Sequence, residues 1–281
     1  MLHSPKIEKA YLLVAMNLDF APEQALLSGT DIHMDSLEGL DSVDVDQAIK
    51  LIHNLVIHSY TPITAAIYGR HLGIASHGPV GYAAIAAPTL GKALATFTEW
   101  FQVRCETYSC KNTEQDQTFD LSIDDTTEDE TFSEFFFEAI TRAIEVLTEL
   151  IVGRKPKGET TLYLKASAQN RRDLMIKEYD SVLNFDSKEN KLLIPKSLWT
   201  YRSPLYDEDS YQYNLVRCQQ LMDALEEKGR LDLSVRNLIR KHFDQLSLTV
   251  CAESPPPNQL DICKTLCLTE RTLVRKLSAC N

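Results

Sequence analysis

The stretch Asp261-Ile262-Cys263-Lys264-Thr265-Leu266-Cys267-Leu268-Thr269-Glu270-Arg271-Thr272-Leu273-Val274-Arg275-Lys276-Leu277 sets the reading of the whole chain. Its spacing predicts a short amphipathic helix, a tight turn and a second helix that opens on Thr269. Ile262, Leu266, Leu268, Leu273 and Leu277 supply apolar contacts between the two helices, and Arg271, Thr272, Arg275 and Lys276 are left facing outward. A helix-turn-helix lays its second helix in the DNA major groove and turns such side chains toward bases and phosphates. Just upstream, Pro255-Pro256-Pro257 halts regular structure and Asn258 suits the N-cap of the first helix. Farther back, Val235, Leu238, Ile239, His242, Phe243 and Leu246 form one helical face, preceded by Gly229 as a C-terminal cap and Leu231-Asp232-Leu233-Ser234 as a new start.

A chain of 281 residues can form two domains, each with its own core. Its 44% hydrophobic and 25% charged residues suit an ordinary globular protein. No apolar run reaches the roughly eighteen residues that span a bilayer. Met1 to Lys6 lacks the pattern of a secretory leader, so the expected location is the cytoplasm. Seven scattered cysteines, an odd number, read as reduced thiols rather than a disulfide framework. The net charge of −11 is unevenly spread. Residues 230–281 hold eight basic and five acidic groups, a net of +3, while the first 229 carry twenty-one and thirty-five. An acidic body on a weakly basic tail fits a protein whose large domain stays off phosphates while the tail makes salt-sensitive contacts.

The first hundred residues read as helical: Ile7 to Met16, a helix opened by Ala21-Pro22-Glu23, then Val45 to Tyr60, and Pro62 to Leu72. Gly69 to Tyr82 holds four glycines and a proline, the composition of helix punctuation with close backbone packing. Its spacing matches neither phosphate-binding loop pattern. Pro88-Thr89-Leu90 opens a helix to about Arg104 that buries Leu90, Leu94, Phe97 and Phe101. Cys105 to Tyr108 and Thr118 to Ile123 are expected to form a hairpin around a polar Lys111–Gln117 connection. The acidic run Asp124 to Glu130 lacks the ligand spacing of an EF-hand and reads as a solvated loop. Phe132 to Val152 is apolar on nearly every face and should be the buried spine of its domain.

Arg154-Lys155-Pro156-Lys157 reads as an exposed turn, with a DNA-backbone contact as the alternative. Thr160 to Lys165 reads as a strand, and Asn170 to Ile176 as a short helix or a polar connection. Ser181 to Phe185 and Lys191 to Ile194 are expected to pair as a second hairpin across Asp186–Asn190. Asp209 to Lys228 is helical, with Leu215, Cys218, Met222 and Leu225 as either intradomain core or a homodimer seam.

Catalytic and metal patterns are missing from the sequence. The seven histidines show no H-E-x-x-H or Cys/His zinc spacing, and no G-x-S-x-G elbow occurs. The expectation is therefore no enzyme, no metal and no cofactor.

With those residues in view, positions 235–281 resemble the first helix-turn-helix of AraC/XylS-type bacterial transcription regulators. Ile262-Cys263, Leu266, Leu268-Thr269, Arg271-Thr272-Leu273 and Arg275-Lys276-Leu277 occupy the places of that family's pattern. Gly78-Pro79-Val80-Gly81-Tyr82-Ala83, then Pro88 to Leu94, and Ser181 to Trp199 with Phe185 and Leu192-Leu193-Ile194-Pro195, are similar to the arabinose-binding-type sensor domain of one branch. The chain departs from the family at Cys267, where Gly is usual, and at Cys263, where Ala is usual. A Cys267 forced to positive φ would cost ~1 kcal/mol relative to Gly. The family also carries a second helix-turn-helix beyond the point where Asn281 stands. The resemblance thus implies a form truncated after its first module, with little selective DNA binding of its own.

The expected fold class is an α+β sensor domain over residues 1–229, helical first and then antiparallel strands around a buried helix. An all-α partial helix-turn-helix domain over 230–281 follows it. The resemblance implies a ligand-responsive regulator whose partners are double-stranded DNA and a small-molecule effector. Thr269, Glu270, Arg271, Thr272, Arg275 and Lys276 are its DNA-contact candidates. Tyr82, Trp100 and Arg104 are candidates for the effector pocket, with core packing the competing account of the two aromatics. The alternative function is a sensor or interaction protein that binds no DNA and acts through dimerisation.

Overall fold

Short apolar repeats in the first hundred positions fold into short helices around one core. The computed structural model describes residues 5–33, 39–229, 235, 238, 239, 257–266 and 268–278, and the chain divides into two compact units between Cys218 and Gln219. Strand β1 (Lys6–Glu8) pairs antiparallel with β2 (Ser42–Asp44), with Ile7 opposite Val43. Helix α1 (Lys9–Asn17) follows directly, so Ile7 is strand where helix was expected. The reason is non-local. The Glu8 amide donates to the Arg104 carbonyl, the Glu106 amide to the Lys6 carbonyl, and the Val45 amide to Pro5. Those partners lie far along the chain, and they take the backbone groups that a helix would have used.

Helices α2 (Glu23–Leu26), α3 (Val45–His58) and α4 (Thr64–His71) come next. Helix α3 buries Ala48, Leu51, Ile52 and Leu55 on one face, as its repeat predicts. A 3-10 turn (Ile74–His77) leads to α5 (Gly78–Ile85) and α6 (Leu90–Trp100), the latter capped by the Thr89 hydroxyl, which accepts from the Lys92 amide. A further 3-10 turn over 101–103 buries Phe101.

The sheet begins with the hairpin β3 (Tyr108–Glu114) and β4 (Thr118–Asp125), Tyr108 standing opposite Asp125. A hairpin is present where one was expected, but its first strand is shifted. Cys105 is spent on a bridge to Ile7, and residues 111–114, expected as a polar connection, pair in the ladder instead.

Helix α7 (Glu130–Val152) is the spine, buried along Phe132, Phe136, Ile140, Ile144 and Ile151. The Asp129 carboxylate caps it by accepting from the Phe132 amide at 2.8 Å and from His53 at 2.9 Å. Gly153 ends it in the left-handed region, φ 73°. Around α7 the rings of Tyr11, Tyr68, Phe101, Tyr108, Phe132 and Phe135 meet edge-on or tilted, with Phe132 and Phe136 centroids 4.7 Å apart.

Strands β5 (Thr161–Tyr163), β6 (Val182–Asn184) and β7 (Lys191–Pro195), with α8 (Arg172–Glu178) between β5 and β6, complete a sheet of order β3-β4-β7-β5-β6. The expected second hairpin does not form. Strand β6 pairs in parallel with β5, and β5 stands between β6 and β7. The stretch before β6 is fastened beside Thr160: the Val182 amide donates to the Thr160 carbonyl at 2.9 Å, and the Thr160 and Ser181 hydroxyls lie 2.7 Å apart. The crossover through α8 then makes parallel pairing the natural outcome.

Helices α9 (Lys196–Trp199) and α10 (Glu208–Gly229) follow. On α10, Cys218 is buried and Leu215, Met222 and Leu225 are half-buried, whereas Tyr213 and Val216 are exposed. In the second unit, α11 (Gln259–Thr265) carries the capping box expected of Asn258, whose side chain accepts from the Asp261 amide while Asp261 accepts from the Asn258 amide. Helix α12 (Glu270–Ser278) packs on it through Ile262, Cys263 and Leu273, with Val235, Ile239, Leu266, Leu268 and Leu277 around them. The Cys267 turn, the rest of the 230–256 stretch and the Lys276 side chain lie outside the described residues. Among the described residues, Cys105, Cys110, Cys218 and Cys263 are free thiols, and burial pushes the first two up to about 12.

A Cβ on Gly69 would sit 2.2 Å from the Ala139 carbonyl oxygen, where α4 crosses the spine. Gly69→Ala should therefore cost about 1–3 kcal/mol by overpacking. Gly73→Ala, with nothing within 4 Å of its Cβ, should be near neutral. Urea denaturation of the two variants checks the contrast. Partial burial pushes the Asp129 carboxyl up, but the His53 bond and the Phe132 amide outweigh it and hold it below the ordinary aspartate value. Its contribution is thus present above the unfolded pKa of about 4 and lost as pH falls past it. Asp129→Ala should cost about 1 kcal/mol at pH 7, a difference that shrinks in unfolding measurements toward pH 3.

Candidate functional site

Three charged residues interrupt the apolar face of α7 at spacing four: Glu130, Glu134 and Glu138. That spacing stacks them along one side of the helix. They form one wall of a cleft of about 560 Å³ inside the first unit. Val56 of α3 and Thr61, Pro62, Thr64 and Ala65 at the start of α4 make a second wall, and the segment after β5, from Lys165 to Arg171, makes the third. Its size falls in the range of small-molecule sites.

Charge is graded along this cleft. Glu138, at the back, is buried and held by Arg171 through both guanidinium nitrogens, at 2.8 and 2.9 Å. Burial pushes the Glu138 carboxyl up even so, with Arg171 opposing. Glu134 is half-buried, and burial, then the neighbouring Glu130, push it up, with Arg171 and Lys165 opposing. Among the described residues its carboxylate has no hydrogen bond or ion pair. Glu130 and Lys165 stand exposed at the mouth. Hydroxyl and amide groups of Thr131, Ser167 and Gln169, with the Phe135 ring, complete the lining. Such a surface can hold a small polar molecule through charge and hydrogen bonds.

Tyr82, Trp100 and Arg104 do not line this cleft. Tyr82 is 48% exposed on α5. Trp100 is half-buried with an indole N–H that has no partner among the described residues. Arg104 is buried, 3.3 Å from Glu8, and donates to the Ser76 carbonyl. Close by, the Tyr11 hydroxyl meets His77 Nδ1 at 2.8 Å, and burial, then the Arg104 charge, bring His77 down to about 3. His77 is therefore neutral.

On α12, Thr269 has its hydroxyl at 3.3 Å from the Thr272 amide, the N-cap contact its position predicts. Glu270, Arg271 and Arg275 are exposed and Thr272 is half-buried. The structure thus places all six tail candidates on one short helix and its cap, with the side chain of Lys276 outside the described residues. The cleft residues were missed because carboxylates are common in an acidic chain. The usable signal was their placement on a helix otherwise apolar all round, where an ionisable group needs a reason.

Residues 21–203 match the family described as the arabinose-binding domain of AraC transcription regulators, N-terminal, and the chain belongs to it. Among solved structures, the crystal structure of the transcriptional regulator CdpR from Pseudomonas aeruginosa is similar in fold. It is 16% identical with a TM-score of 0.50, over 83% of this chain and 72% of that one. The comparison with curated proteins gives no match. Among the described residues, no helix is long and apolar enough to cross a membrane.

Arg171→Ala strands a buried carboxylate and should cost about 3 kcal/mol or more near neutral pH. Because the folded-state pKa of Glu138 is raised, the folded chain holds the proton more tightly than the unfolded one. The penalty should therefore be greatest at high pH and fade as pH drops toward the unfolded value near 4. Denaturant midpoints at pH 4.5 and 8 measure it, and Glu138→Gln added to Arg171→Ala should remove most of the pH dependence.

Proposed function

We propose that the protein is a ligand-responsive transcription regulator that performs no catalysis. In this reading residues 1–229 sense a small-molecule effector in the α7 cleft and residues 230–281 read promoter DNA as the first module of an AraC-type helix-turn-helix domain. The supporting observation is the pairing of two features in one chain. One is an N-terminal domain of a regulator family over residues 21–203, and the other is an exposed cationic helix bearing Arg271 and Arg275. The open start of α12 at Thr269 suits a backbone phosphate, Arg271 and Arg275 suit phosphates or guanine edges, and Glu270 and Thr272 stand beside them.

Anisotropy titration with duplex from the promoter region next to its own coding sequence tests this. Arg271→Ala and Arg275→Ala should each weaken binding, and each lost phosphate contact should lower the salt slope by about 1. Unchanged affinity in the double variant would remove the tail from the interface.

A second reading is supported by α10. Its half-buried Leu215, Met222 and Leu225 recur at helical spacing and form an apolar stripe suited to a second copy. The protein would then act by dimerisation without touching DNA. Light scattering that shows a strict monomer across the micromolar range would exclude this.

A further inference from the structure

The cleft on α7 has a charge imbalance that narrows what it can hold. At its back, Glu138 and Arg171 neutralise each other through two hydrogen bonds. What remains facing the cavity is two carboxylates, Glu130 and Glu134, against the single exposed ammonium of Lys165. The two carboxylates stand one helical turn apart, where like charges repel. Glu134 is half-buried, so water screens it less than it would a surface side chain; the charges of Arg171 and Lys165 act on its carboxyl, but no described residue hydrogen-bonds it or forms an ion pair with it.

A neutral polyol could accept or donate hydrogen bonds here but would leave the two negative charges facing each other. An anion would add a third. A cation relieves both carboxylates at once. The described residues offer no group of three or more His, Cys, Asp or Glu arranged for a metal ion. The cavity of about 560 Å³ also has room for an organic molecule rather than a bare ion. Phe135 and Ala65 supply apolar surface for a carbon chain, and Ser167 and Gln169 supply polar groups beyond it.

We infer that this cleft binds a small organic cation with an ammonium or guanidinium head seated on Glu134 and Glu130. The inference rests on the effector-site reading given above and adds the chemical class. Burial, then the Glu130 charge, push the Glu134 carboxyl up and outweigh the pull of Arg171 and Lys165, and a bound cation would add to that pull. Binding should therefore strengthen as pH rises through the titration of Glu134.

The test is isothermal titration and thermal shift of the full chain with 1,4-diaminobutane and agmatine. The comparison probes are 1,4-butanediol, succinate, L-arabinose and magnesium chloride. The amines should bind and the others should not. Glu134→Gln should weaken amine binding about tenfold or more, as expected when a charge-assisted hydrogen bond is lost. Glu130→Gln should weaken it less. Glu23→Gln, which removes a carboxylate on the exposed start of α2, should leave it unchanged. Thermal melts of each variant without ligand verify folding, and Glu130→Gln serves if Glu134→Gln is unstable. Amine binding unaltered in both carboxylate variants would overturn the inference. So would binding of the diol, succinate, arabinose or magnesium with the amines inert, or no binding by any probe. Duplex titration separates this from the regulator reading. A chain that binds promoter duplex but no amine loses only the inference, and one that binds amine at Glu134 but never duplex loses only the regulator.

Discussion

The rest of the first unit depends on the satisfaction of charges buried on α7. Glu138, Arg142 and Glu145 sit on a helix that is otherwise core, and an unmet charge there would cost several kcal/mol. Each is met from outside the helix. Glu145 accepts the Ser181 amide at 2.8 Å, the Ser181 hydroxyl at 2.5 Å and the Asp180 amide at 3.1 Å. Arg142 reaches Glu145 and Glu178, and Glu178 also takes Arg70 at 2.7 Å. The network ties α4, α7, α8 and the chain before β6 into one arrangement. Burial pushes Glu145 up, and the Ser181 hydroxyl with Arg142 and the two amides pulls against it.

That arrangement also makes the cleft. Because Glu145 and Thr160 hold residues 180–182 in place, β6 lies parallel to β5 and α8 must cross between them. The crossover carries Lys165 to Arg171 to a position facing the N-terminal half of α7. Structural charges at 142 and 145 thereby position a second set, at 130, 134 and 138, around an open space. Fold and candidate site share one helix, the inner half committed to packing and the outer half left facing the cavity.

Much was legible locally. Helices α3, α6 and α7 were visible from apolar repeats, and α11 and α12 from the caps at Asn258 and Thr269, because periodicity and capping chemistry lie within a few residues. The glycine-rich stretch from Gly69 to Tyr82 read correctly as close packing, since Gly69 and Gly81 each face a backbone carbonyl. Strand partners were not legible. Ile7 belongs to a strand because of Val43 and Cys105, and β6 is parallel because of Glu145, and neither partner leaves a mark in its neighbour's sequence. The cleft was invisible for the same reason, since its three walls come from separate segments spread between Val56 and Arg171.

By itself, the order of residues determined that α3, α6 and α7 are helices, that α7 runs through the core, and that α12 shows cationic side chains beside an apolar seam. Those features follow from short-range periodicity and capping, whose energies are set within one or two turns. Tertiary structure alone decided which strands pair, which buried charges are neutralised, and which carboxylates on α7 line the cleft. These depend on groups brought together only by folding, where the low dielectric of the interior turns an unmet charge into a constraint on the whole unit.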